Sequence, residues 1–76
     1  MQIHVNKIKV SKKQRRKLDS HKVKKHRMAF EMGEDVYPID VVKIDEDTYN
    51  ICGNGRHRYF GAIEAGLTYI EANILN

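Results

Sequence analysis

The 76 residues, 41% of them hydrophobic, allow one domain with a thin core, since a chain this short hides only about 60% of its unfolded surface. The lone Cys52 excludes an internal disulfide framework. No apolar run approaches the roughly 20 residues of a membrane span, and Met1-Gln2-Ile3-His4 lacks the apolar stretch of a secretory signal, so a cytoplasmic protein without membrane contact is expected.

In chain order, Ile3, Val5, Ile8 and Val10 alternate imperfectly and predict a first strand with one irregularity. Ser11 to Ser20 is a basic connection with room for a helical turn. Asp19 and Ser20 are both competent N-caps for a helix from about His21 to Met32, and Gly33 is placed to end it in a left-handed cap. Val23 and Phe30 share one face of that helix while Met28 and Met32 point elsewhere, so its core stripe is narrow. After a loop over Glu34 to Tyr37, Pro38 opens a strand, Ile39 to Ile44. Asp45-Glu46-Asp47-Thr48 reads as a solvated hairpin turn into a strand from Tyr49 to Cys52. A helix from about Arg56 to Ala65, stopped by Gly66, can pack on the sheet through Tyr59, Ala62 and Ile63. Tyr69 to Ile74 is the last strand. The order β-α-β-β-α-β implies an α+β domain, a compact mixed sheet of about four strands with two main helices.

Charge is distributed unevenly along these elements. Eleven of the 14 basic residues lie between Lys7 and Arg27, with Asp19 as the only acid among them. That segment carries +10 and the remainder −6, within a net charge of +4. Lys12, Lys13, Arg15, Arg16, Lys17, Lys22, Lys24, Lys25 and Arg27 are therefore the candidate contacts to a polyanion, because clustered cations gain affinity by releasing condensed counterions. A solvated basic helix face is the bland alternative.

The stretch Cys52-Gly53-Asn54-Gly55-Arg56-His57-Arg58 stands where a strand hands over to a helix. Two glycines let the backbone turn tightly and bring bare N–H groups to a ligand. The following helix offers unpaired N–H groups and its positive dipole end. Arg56 and Arg58 add forked cationic donors, and His57 adds one donor, or two when protonated. Gly53, Asn54, Gly55, Arg56, His57 and Arg58 thus converge on cradling a phosphate. The competing reading is a structural turn whose arginines cover acidic neighbours such as Glu64.

Gly53-Asn54-Gly55-Arg56-His57-Arg58-Tyr59-Phe60-Gly61-Ala62, followed by Glu64-Ala65-Gly66, resembles the signature loop and helix of the ParB/sulfiredoxin superfamily. Gly33-Glu34-Asp35 and Pro38-Ile39-Asp40-Val41 look like that family's helix end and next strand, Gln14-Arg15-Arg16 is similar to its first basic box, and Tyr69 to Ile74 corresponds to its last strand. The resemblance implies binding of a nucleotide or nucleic-acid phosphate at the loop. ParB proteins bind and hydrolyse CTP there, sulfiredoxins bind ATP there, and other relatives act as kinases or have been called nucleases. Sulfiredoxins carry a cysteine where this chain has Arg56, and Cys52 comes too early, so sulfinate reduction is not expected. ParB proteins continue into further helices, including a helix-turn-helix, so a full CTP clamp and operator reading are not expected of these residues.

Other chemistry is thinly represented. His4, His21, His26 and His57 show no zinc-like pairing, and one cysteine cannot supply a thiolate cluster, so no dedicated metal site is expected; Mg²⁺ would arrive with a bound nucleotide. A hydrolase needs a base, for which Glu31, Asp40 and His57 are the leading candidates and Glu34 and Asp35 further ones, each otherwise an ordinary solvated group. Cys52 reads as a small core residue. Tyr49, Tyr59, Phe60 and Tyr69 read as core, with Tyr59 the aromatic best placed to flank a ligand.

The expectation is a free-standing, DNA-associated ParB-like module of a prokaryote, plasmid or phage, binding a nucleotide or nucleic acid through its loop. The alternatives are a small Mg²⁺-dependent nucleotide hydrolase, phosphotransferase or nuclease, and a non-catalytic regulator acting as a homodimer or on a protein partner.

Overall fold

The computed structural model describes residues 1–35 and 37–76. Five strands, β1 (Gln2–His4), β2 (Ile8–Lys9), β3 (Ile39–Asp45), β4 (Thr48–Cys52) and β5 (Tyr69–Ile74), form one mixed sheet in the order β1-β5-β3-β4-β2. Three helices, α1 (Lys12–Arg16), α2 (Ser20–Glu31) and α3 (Arg56–Glu64), complete the fold. The mixed α+β class expected from the sequence holds, with five strands in place of about four.

The extra strand comes from splitting the expected first one. β1 pairs antiparallel with β5 at one edge, and β2 pairs parallel with β4 at the other. Only Val5–Lys7, wound as a 3₁₀ turn, joins them. Four residue steps reach at most about 14 Å, whereas the edges of a flat five-stranded sheet stand about 19 Å apart. The sheet must therefore curl enough to bring its two edges within that reach. Tyr59 secures this crossover, its hydroxyl donating to Val5 O at 3.0 Å and Ile8 O at 3.3 Å. It is a core residue and does not flank the loop as expected.

Period-2 alternation decides the two faces of the sheet. Ile39 and Val41 of β3, Tyr49 and Ile51 of β4, and Ile70 and Ala72 of β5 point inward against Tyr59 and Ala62 of α3. Asp40, Asn50, Cys52, Glu71 and Asn73 face out. Cys52 is therefore exposed and not the small core residue expected, because the alternation that buries Tyr49 and Ile51 turns it to solvent. Tyr69 likewise lies 53% exposed on its strand.

Each helix begins and ends for a local reason. Ser11 and Gln14 form a capping box on α1. Asp19 caps α2 by accepting the His21 N–H at 2.9 Å. Gly33, at φ +73°, closes α2, with Gly33 N–H donating to Phe30 O and Glu34 N–H to Ala29 O. Gly66 repeats this arrangement after α3. The expected loop over Glu34 to Tyr37 includes Val36, which lies outside the described residues. Helices α2 and α3 pack at the closest separation a glycine permits: a Cβ on Gly61 would stand 2.6 Å from His26 Cβ.

Candidate functional site

β4 delivers the chain at Cys52 and α3 takes it up at Arg56. The two glycines between have different tasks. Gly53 sits at φ +74°, where only a residue without Cβ turns freely. Gly55 is buried; a Cβ there would meet Ile39 Cβ at 2.9 Å and Ile51 Cγ2 at 3.3 Å, so it lets the loop lie directly on the sheet.

α1 and α2 have side-chain caps, but α3 begins at Gly55 with none, and its first turn holds no acid. The first bond of that helix is Tyr59 N–H to Gly55 O at 2.9 Å. The N–H groups of Arg56, His57 and Arg58 precede it and have no intrahelical partner. They lie at the positive end of the helix dipole.

A concavity of about 350 Å³ opens there, lined by Lys22, His26, Asn54, Arg56, His57 and Arg58. That volume falls within the range of about 300–1,000 Å³ typical of small-ligand sites. Another hollow among the described residues, of about 330 Å³ at Lys43, Ile44, Asp45 and Asn76, has a single cation in its lining. The bend is open, since Gly53 and Asn54 are exposed.

The three charged or titratable members of the loop behave differently. Arg56 has only a long bond from Nη2 to Lys17 O at 3.4 Å, and its Nε is buried with no hydrogen-bond partner among the described residues. Such a donor loses solvation without compensation unless an acceptor arrives. Arg58 donates from Nε to Asp35 Oδ1 at 2.9 Å and lies over the Tyr37 ring. Its carboxylate partner is Asp35, not the Glu64 considered from the sequence. His57 is buried, and its Nε2 accepts the Asp19 N–H at 3.0 Å. A neutral imidazole has one acceptor and one donor, so this bond places the proton on Nδ1. Burial pushes the His57 pKa below its ordinary value, and the Arg56 and Lys22 charges push it further down. His57 thus serves the N-terminus of α2 and offers the site one N–H, not the doubly donating imidazolium considered from the sequence.

The side chain of Asp35 is only 4% exposed, and its other oxygen, Oδ2, accepts from His26 Nδ1 at 2.6 Å. His26 follows Lys22 by one turn of α2 and so faces the same concavity. The sequence assigned His26 no binding role, although its i,i+4 relation to Lys22 was legible. Asp35 reaches both His26 and Arg58 only after the Gly33 cap turns the chain back.

The expected basic surface is partly assembled. Lys12, Lys13, Arg15, Arg16 and Lys17 form an exposed cationic run over α1 and its end, with Arg15 lying over the Phe60 ring. On α2, Lys22 lines the concavity, and Lys24, Lys25 and Arg27 do not. Arg27 Nε lies 3.4 Å from Glu31 Oε1, a charge contact without hydrogen-bond geometry. Of the candidate bases, Glu31 ends α2 well away from the loop, exposed beside Arg27. Asp40 is on the outer face of the sheet, accepting from Asn73 Nδ2 at 3.3 Å. Neither lines the concavity. Among the described residues, no group of three or more His, Cys, Asp or Glu side chains could hold a metal ion, and no helix is long and apolar enough to cross a membrane.

The family model described as the ParB N-terminal domain matches residues 1–76. No curated protein matches the chain. Among solved structures, sulfiredoxin from Arabidopsis thaliana is similar with a TM-score of 0.79 and 27% identity, over 97% of this chain and 81% of that one. The C-terminally truncated chromosome-partitioning protein ParB from Caulobacter crescentus, complexed with CTP-gamma-S, has a TM-score of 0.76 and 17% identity. The second match covers 100% of this chain but 44% of that chain, and speaks for the fold alone.

Proposed function

The chain belongs to the ParB N-terminal domain family, and from that premise we propose that it is a phosphate-binding module for a nucleotide or nucleic acid. The observation that carries this reading is the uncapped start of α3, opening on a concavity where Arg56 keeps a buried, unpartnered Nε. Backbone N–H groups, a helix dipole and guanidinium donors converge there with no acid in the first turn. A phosphoryl oxygen supplies the acceptors that this arrangement lacks.

Lys22 and the cationic run over Lys12 to Lys17 extend the positive surface from the concavity, which suits a ligand that continues beyond one phosphate. The fold likeness to a ParB that holds CTP-gamma-S is consistent with a nucleotide at such a site. Mg²⁺ would enter on the ligand's own phosphates, because the carboxylate beside the site, Asp35, is already engaged by His26 and Arg58. Hydrolysis through Glu31 or Asp40 has no geometric support, since neither faces the concavity. Cys52 does not line it either.

Calorimetry with nucleoside triphosphates, with and without Mg²⁺, and with single- and double-stranded DNA at two salt concentrations tests the reading. Arg56→Ala removes one charge-assisted donor and is expected to weaken binding about tenfold or more, with an unchanged unfolding midpoint. Equal affinity in variant and parent would remove the loop from the function. A steep salt slope assigns the site to polynucleotide, and saturable one-to-one binding of a triphosphate assigns it to nucleotide.

A further inference from the structure

Two histidines border the concavity, and their surroundings divide the work between them. The Nε2 of His57 is already occupied by the Asp19 N–H, so that ring cannot take up a second proton without breaking the start of α2. His26 is arranged in the opposite way. The buried Asp35 carboxylate accepts from its Nδ1 at 2.6 Å, which fixes the ring and leaves Nε2 for the concavity. Arg58 Nε, at 2.9 Å from the other carboxylate oxygen, holds Asp35 in place. Gly61 of α3 packs directly on His26 Cβ and holds the backbone beneath the ring.

We propose that His26, held through Nδ1 by Asp35, is an oxyanion-binding residue of this site, its Nε2–H donating to a phosphoryl oxygen, so that a dianionic ligand and one proton enter together. The inference rests on the phosphate-binding reading and names a residue and a proton that the loop alone does not. The groups facing His26 are Lys22 on its own helix, Asp35 beyond the Gly33 turn, and Arg56, His57 and Arg58 on α3. Three full cations and one carboxylate thus surround the ring. A bound dianion cancels their net positive charge, and the imidazolium then becomes its fourth cationic partner. Proton uptake and ligand binding are linked, so affinity is greatest on the acid side and falls as pH rises from the free to the bound His26 midpoint.

Sulfate is the suitable probe, because its charge stays constant across this pH range while a phosphate's does not. Ring resonances of His26, assigned with His26→Gln, are followed by NMR against pH in the unaltered protein with and without saturating sulfate. The expected result is a rise of the His26 midpoint by about one pH unit, equivalent to roughly tenfold tighter binding below the window than above it. His26→Gln, which removes the linked proton, is then expected to lose that pH dependence. A His26 midpoint unmoved by sulfate that nevertheless shifts the Arg56 and Arg58 amides would overturn the role of His26 and leave the loop site standing. Sulfate that perturbs no amide from Asn54 to Arg58 would overturn both.

Discussion

Gly61→Ala tests how closely α2 and α3 must approach for the site to exist. An ideal Cβ on Gly61 would lie 2.6 Å from His26 Cβ, 2.9 Å from Arg27 N and 3.1 Å from His26 C. Carbon atoms rest about 3.5–4.0 Å apart, so α2 must withdraw by about 1 Å. Overpacking of this kind costs about 1–3 kcal/mol. Two of the three clashing atoms are backbone and cannot rotate aside, which places the cost at the upper end. Alanine's better helix propensity returns about 1 kcal/mol. The net loss is about 2 kcal/mol, a fall in Tm of roughly 8–16 °C for a domain of this size. Urea unfolding followed by circular dichroism measures it, with Gly33→Ala as a control. That position has φ +73° and nothing within 4 Å of a Cβ, so its cost is backbone strain alone, about 1–2 kcal/mol, with no effect on helix packing. Because His26 and Lys22 ride on α2 while Arg56 and Arg58 ride on α3, Gly61→Ala also separates the two sides of the concavity. A variant unfolding at or above the parent midpoint would refute this packing argument.

Two further outcomes follow from the buried groups. Because the folded-state pKa of His57 lies below its unfolded value of about 6.5, the unfolded chain binds its proton more readily. The stability contributed by neutral His57 is therefore complete above about pH 6.5 and is lost as pH falls toward its folded pKa. His57→Gln keeps an acceptor for the Asp19 N–H and should flatten the loss between pH 7.5 and 5; an unchanged slope in urea unfolding would contradict it. Arg58→Ala leaves the Asp35 carboxylate, 4% exposed, with His26 as its remaining partner, and is expected to cost about 2 kcal/mol. Asp35→Asn in the same chain should restore part of that loss. A fully stable Arg58→Ala single variant would show that Asp35 does not depend on the guanidinium.

Much of the site could be read because its parts are neighbours in the chain. The glycine bend, the arginines after it and the helix they open occupy Gly53 to Arg58. The roles within that stretch could not. His57 was legible as a donor, and its acceptor duty depends on Asp19, 38 residues away. Arg58 was legible as a ligand contact, and its pairing with Asp35 spans 23 residues. Cys52 was misassigned for the same reason: its apolar character favours burial, but the side it faces follows from β4 pairing, in which it stands opposite Asp40.

The sequence by itself determined where helices start and stop, through Ser11, Asp19, Gly33 and Gly66, and which stretch carries the anion chemistry. Capping, turn preference and period-2 polarity act over a few residues, so their energetics are visible in the order of the letters. Tertiary structure alone decided that the first strand divides between opposite sheet edges, that Gly61 sets the spacing of α2 and α3, and that Asp35 is buried between His26 and Arg58. Those outcomes depend on which distant surfaces meet once the sheet curls, because the free energy of a contact depends on separation in space and not on separation along the chain.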